Sequence, residues 1–227
     1  NVLYITLEMA EERIAERIDA NLLDVTMEDL HDMPKQLYEG KITKLREKTQ
    51  GQLVIKEYPT ASAHSGHFKS LMNELALKKS FRPDVIFIDY LNICASSRFK
   101  GGNISSYFYV KAIAEELRGL AVEFNVPIFS ATQTTRTGYV STDIGLEDTS
   151  ESFGLPATAD FMFALISNEE LEALGQMKVK QLKNRYNDPS INRAFIIGVD
   201  RAKMRLYDVQ QKAGDIVDAN QVDEKED

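Results

Sequence analysis

Residues 82–91, "RPDVIFIDYL", set four consecutive apolar side chains, Val85, Ile86, Phe87 and Ile88, directly before an acid, Asp89. An unbroken apolar run of this length predicts a strand covered on both faces, as in a parallel sheet, rather than the alternation of a half-solvated one. Asp89 then falls where the strand leaves the sheet. In open α/β sheets ligands bind outside the carboxyl ends of the strands, so this acid is expected at a site. Taken alone, an Asp after a strand is more often a cap or turn residue, and the assignment depends on the rest of the chain.

Working outward, Val2, Leu3, Tyr4, Ile5 and Leu7 form a strand pattern that leads onto Glu8, and "AEERIAERIDANLL" (10–23) reads as a helix. "KQLYEGKITKLREKTQ" (35–50) reads as a charged amphipathic helix and "QLVIKEY" (52–58) as a short strand. In "GHFKSLMNELALKKS" (66–80) Phe68, Leu71, Met72 and Leu75 share a helical face, with Ser65 as the expected cap. The clearest helix places Val110, Ile113, Ala114, Leu117, Ala121 and Phe124 at three- and four-residue steps. "VPIFSATQ" (126–133) reads as a second buried strand with a polar end, and "TADFMFALI" (158–166) as another. "QMKVKQLKNRYND" (176–188), "NRAFIIGVD" (192–200) and "KMRLYDV" (203–209) read as strands joined by turns.

Strand, helix, strand with apolar strands predicts an α/β fold: a mostly parallel central sheet flanked by helices, followed by a late antiparallel run. Three strands finish on polar groups at the same expected edge: Glu8 after "YITL", Asp89 after "VIFI" and Gln133 after "IFSAT".

Composition is that of a globular domain: 227 residues, 43% hydrophobic and 27% charged. No apolar run approaches the roughly 20 residues of a membrane span, and "NVLYITLEMA" lacks the basic start and cleavage site of a signal peptide. A soluble, cytoplasmic chain is expected. The one cysteine, Cys94, excludes an internal disulfide and suits a reducing compartment, which makes the sequon at Asn103 an accident. A formal net charge of -8 argues against a general nucleic-acid binder, though not against a few basic residues placed on particular loops. The segment "AGDIVDANQVDEKED" (213–227) holds six acids and one lysine, so residues 209–227 are expected to form an acidic disordered tail. His64 and His67 have no acid or cysteine to complete a metal site and read as surface histidines.

Four hydrophobic residues followed by Asp is also the Walker B pattern, in which the acid holds the magnesium of a nucleotide. Together, "LYITLEM", "VIFIDYL", "IFSATQ", "ESFGLPATADFMFAL" and "KQLKNRYND" resemble, in order and spacing, the RecA-type motor domain of the DnaB-family replicative helicases. The T-even-type phage branch is the most similar, over residues 1–208.

That resemblance implies ATP or another NTP, with Mg2+, as cofactors, and it implies roles. Glu8 matches the catalytic glutamate that polarises the attacking water. Asp89 matches the magnesium ligand, acting through water, and Gln133 the sensor of the γ-phosphate. Lys183 and Arg185 match the basic pair that reaches the neighbouring subunit's nucleotide; two apart on a strand, they share a face. Lys178 and Lys180 are then expected on the opposite face, as charges protecting an edge strand. Two loops, "NICASSRFKGGNIS" with Arg98 and Lys100 and "TTRTGYVSTDIGLEDTS" with Arg136, are expected to face single-stranded DNA in a hexameric ring of identical subunits. Primase and a helicase loader are the further partners implied, in a phage-infected bacterial cell.

The sequence departs from the family in one respect. No G-x-x-x-x-G-K-[ST] occurs in these residues, and the chain opens directly in a strand pattern. A fragment lacking the upstream P-loop unit is expected, unable to hydrolyse nucleotide alone. A RecA-type recombinase and a catalytically dead RecA-like assembly module remain as alternatives.

Overall fold

A computed structural model describes residues 1–99, 104–134, 145–146, 154–188, 191 and 193–210. Four strands, β1 (Val2–Thr6), β2 (Leu53–Glu57), β3 (Val85–Asp89) and β4 (Ile128–Ser130), form a parallel sheet in the order β2-β1-β3-β4. The helices between them are α1 (Glu11–Leu23), α2 (Met27–His31), α3 (Lys35–Lys48), α4 (Ser65–Lys79) and α5 (Ser106–Phe124). The later part holds α6 (Gly154–Thr158), β5 (Phe161–Ile166), α7 (Glu169–Ala173), β6 (Gln176–Asn184), β7 (Ala194–Asp200) and β8 (Arg205–Asp208). Its four strands make a separate antiparallel sheet in chain order, the late antiparallel run expected from the sequence.

The core lies between one face of the parallel sheet and helices α4 and α5. Leu3, Ile5, Ile86 and Ile88 pack there with Phe68, Met72, Leu75, Ile113 and Leu117, all buried. The periodic apolar positions of both helices are the ones that meet the sheet, so the amphipathic reading holds for them. It fails for α3, none of whose residues is buried.

The expected coverage of both faces of "VIFI" also fails. Ile86 and Ile88 face the core, but Phe87 is 37% exposed. On that second face Tyr4, Phe87 and Phe129 stack in a row, with ring centroids 6.2 and 5.3 Å apart. Strand β4 is short and, at 47% exposure of Phe129, is not the buried strand that "VPIFSATQ" suggested. Among the described residues it is an outer strand of the parallel sheet. The antiparallel sheet repeats the asymmetry. In β5, Phe161, Phe163 and Leu165 are exposed while Ala164 and Ile166 are buried.

Contacts at two places tie the sheets together. Helix α1 ends on Asp24, in the left-handed conformation that short polar residues tolerate. Its carboxylate accepts from Lys203 of the β7–β8 turn at 3.2 Å and from Arg205, the first residue of β8, at 2.9 Å. The second contact joins α5 to Asp160, at the start of β5. Helix α4 begins differently from expectation. His64, not Ser65, is the cap: its Nδ1 accepts from the Gly66 amide at 3.0 Å, and the His64 amide donates to His67 Nδ1 at 3.2 Å.

A candidate nucleotide edge and a cluster of basic residues

The parallel register fixes which residues leave the sheet together. Thr6 is paired with Asp89, and Ile88 with Ser130. Glu8, Asp89 and Gln133 therefore all lie at the carboxyl edge of adjacent strands. Beyond the last rungs the chains stay joined: the Leu7 amide donates to the Asp89 carbonyl at 2.9 Å and the Leu91 amide to the Ala131 carbonyl at 3.2 Å.

Buried Thr6 shapes the turn that carries Glu8. Its hydroxyl donates to the Met9 carbonyl at 2.8 Å and accepts from the Met9 amide at 3.0 Å, leaving Glu8 exposed. Asp89 accepts from the Tyr4 hydroxyl at 2.9 Å. Burial, then this bond to a carboxylate, pushes the Tyr4 phenol well above its ordinary range. The amide of Gln133 donates to the Tyr90 hydroxyl at 3.0 Å, and Thr132 donates to Asn92 at 2.8 Å. Tyr4 and Tyr90 thus orient two of the three predicted residues. Neither was singled out from sequence, because strand pairing was needed to bring them there.

Concavities elsewhere are of other kinds. One lies among Arg13, Glu16, Asp19 and Tyr38, and the other over the exposed aromatic face of the antiparallel sheet. Neither is at this edge. No group of three or more metal-ligating side chains exists among the described residues. A single strand-end carboxylate nevertheless fits Mg2+, which keeps several waters and takes only one or two carboxylates beside phosphate oxygens.

The segment after β3 is rooted on α5, with Glu116 at the centre of the contact. Glu116 accepts from the hydroxyls of Ser65 at 2.8 Å, Ser96 at 2.6 Å and Ser97 at 2.8 Å, and from the Ser97 amide at 3.0 Å. Burial alone would raise its carboxyl, but the bonds from Ser96, Ser97 and Ser65 outweigh burial and hold it below the ordinary carboxylate range. Arg98 follows immediately and pairs with Glu115 at 2.5 Å. Lys100 and Arg136, the other two predicted DNA contacts, lie outside the described residues, as does the stretch after Gln210 that holds most of the predicted tail.

Lys183 and Arg185 meet on α6. The Lys183 ammonium donates to the Pro156 carbonyl, and Arg185 donates to the Ala157 carbonyl at 2.6 Å and to Asp160 at 3.2 Å. Asp160 also accepts from Arg118 of α5 at 2.5 Å. Arg118 foremost, with Arg185 and Lys183 adding to it, holds the Asp160 carboxyl low. Burial and the adjacent Arg185 guanidinium hold the Lys183 ammonium below its usual range.

The expected placement of Lys178 and Lys180 is overturned. Strand β6 is central in its sheet, not an edge, and its register jumps between Met162↔Lys183 and Phe163↔Gln181. That bulge at Leu182 resets the alternation. Lys178, Lys180 and Lys183 pair with Ile166, Ala164 and Met162, all on one face, and Lys180 is 8% exposed.

A parallel sheet flanked by helices and joined to a separate antiparallel sheet is a RecA-like fold. The profile of the DnaB-like helicase C-terminal domain matches residues 1–205, and the chain belongs to that family. It is 48% identical over 214 residues to a DnaB-like replicative helicase of Enterobacteria phage T4, covering 93% of this chain and 45% of that protein. A probable plasmid replicative DNA helicase of Chlamydia trachomatis is 34% identical over 138 residues, covering 59% of this chain and 28% of that protein. The chain thus spans less than half the length of these relatives. The ATPase domain of G40P superposes with a TM-score of 0.74 at 17% identity, over 92% of this chain and 74% of that one. A DnaB-like replicative helicase studied with its primase interactions gives 0.73 at 17% identity, over 92% and 50%. The RecA-like fold and the helicase family read from the sequence are both confirmed. No helix among the described residues is long and apolar enough to cross a membrane.

Proposed function

We propose that residues 1–208 are the motor domain of a ring-forming replicative helicase. It couples hydrolysis of ATP, or another NTP, to translocation on single-stranded DNA and unwinding of the duplex. The observation that carries this reading is the register that brings Glu8, Asp89 and Gln133 to one sheet edge in a chain of this family. The alternatives of a recombinase and a dead assembly module have no comparable support.

In this reading Glu8, exposed at its turn, accepts a proton from the attacking water and aligns it. Asp89 holds Mg2+ through water, and the ion when bound neutralises phosphate charge. Gln133 contacts the terminal phosphate. Lys183 and Arg185 act on the nucleotide of the next subunit in a hexamer. Arg98, Lys100 and Arg136 hold the DNA backbone, and six copies of each offset an acidic chain. Primase and a loader would engage the full-length protein, in the cytoplasm of a phage-infected bacterium. Residues 209–227 are an acidic tail outside the motor.

The P-loop unit is proposed to lie outside these 227 residues, since none of them forms its motif. The purified polypeptide should then show no nucleotide hydrolysis, with or without single-stranded DNA. DNA-stimulated hydrolysis by this chain would put the nucleotide site elsewhere. In the full-length protein Arg185→Ala should abolish hydrolysis while nucleotide binding stays within a few-fold; an equal loss of binding would remove the trans role.

A further inference from the structure

We propose that Asp160, buttressed by Arg118, is the positioning residue that presents the Arg185 guanidinium to the neighbouring subunit. The inference rests on the trans role given to Arg185 above.

A guanidinium that must meet a phosphate across a subunit boundary faces an entropic problem. A free arginine carries rotamer entropy that is lost on docking. Here that order is already present. The Arg185 amide donates to the Asp160 carbonyl at 3.0 Å, one guanidinium nitrogen to the Asp160 carboxylate at 3.2 Å, and another to the Ala157 carbonyl at 2.6 Å. One residue therefore holds Arg185 by both main chain and side chain. The bend that carries it is fixed as well: the Asn184 side chain accepts from the Tyr186 amide at 3.0 Å and the Asn187 amide at 3.2 Å.

Arg118 sets Asp160 in turn. It donates to the Asp160 carboxylate at 2.5 Å and to the Thr158 carbonyl at 3.1 Å, anchoring both to α5. The charge balance suits a finger rather than a closed ion pair. The Asp160 carboxylate is shared between two guanidinium groups, Arg118 and Arg185, while the Lys183 ammonium sits beside them on the Pro156 carbonyl, so among the described residues the cluster keeps an excess of positive charge for an incoming phosphate. Arg185 remains 43% exposed at the side chain, accessible from outside its own subunit.

The test uses the full-length helicase. Asp160→Asn keeps the shape and one acceptor but removes the charge that aligns Arg185. It should lower kcat roughly tenfold to a hundredfold and leave the nucleotide KM within about twofold, with rings still formed. Mixed rings then separate positioning from a structural defect. D160N subunits supply an intact Glu8, and E8Q subunits supply an intact finger. The mixture should therefore hydrolyse nucleotide faster than either parent, as should R185A mixed with E8Q. Parent-like activity of D160N overturns the proposal. So does a D160N and E8Q mixture without gain where R185A and E8Q do gain. If R185A and E8Q show no gain, the trans role itself fails and this inference falls with it. Should D160N not assemble, Arg118→Lys, which cannot grip Asp160 and Thr158 together, is put through the same mixtures with the same outcomes.

Discussion

The Tyr4 hydroxyl donates to the Asp89 carboxylate at 2.9 Å across the β1–β3 pair. The strand-end acid is thus oriented from within the sheet. Tyr4→Phe should lower stability by about 1 kcal/mol at neutral pH, the usual worth of such a bond. Because the folded phenol is held above its ordinary value of 10, its contribution is present below pH 10 and is lost as pH rises beyond it. The stability gap between parent and Y4F, read from urea melts, should close in the alkaline arm and stay constant between pH 6 and roughly pH 9.

Glu116 gives the opposite pH signature. Its folded carboxyl sits below the ordinary 4.5, so its contribution is present above pH 4.5 and disappears as pH falls through the folded value. Glu116→Gln, which retains one oxygen for the serine donors, should cost about 1–3 kcal/mol at pH 7. The difference should shrink under acid titration followed by circular dichroism. A gap that widened in acid would show that the serines stabilise a protonated carboxyl.

Cys94 should be inert. It is 2% exposed, and burial pushes its thiol up to about 12, so almost no thiolate exists at neutral pH. Thiol-reactive dyes should label it only as the chain unfolds, and the labelling rate should follow denaturant concentration. Rapid labelling of the native protein would show that the α5 face opens.

The paired histidines at the start of α4 stand in for the usual serine or aspartate cap. Removing the acceptor by His64→Ala should cost about 1 kcal/mol, and His64→Asp should restore most of it. Thermal melts of the two variants check this. Equal loss in both would mean that ring contacts, not the cap, make His64 useful.

Much of the fold was legible because its signals are local. The apolar run ending at Asp89 and the helical spacing of Val110 to Leu117 needed no partner to be read. The same rule puts Glu8 and Gln133 at the sheet edge, as polar groups just past a strand. What the chain hid depends on pairing. Nothing in "KVKQLKNR" marks Leu182 as an extra residue, so Lys178 and Lys180 were assigned to the wrong face. Phe87 counted as buried because composition cannot tell a strand's two sides apart. Asp160 carries no local signal, since its importance lies in meeting Arg118, forty-two positions earlier.

The bulge at Leu182 also gives β6 a unit of slack. A chain lacking Leu182 would still set Lys183 opposite Met162, whereas ironing the bulge out at full length would slip every later residue by one and turn the lysine toward Phe161. The extra link therefore serves twice, turning the basic hook to its face and setting Leu182 against Ala164 and Ile166.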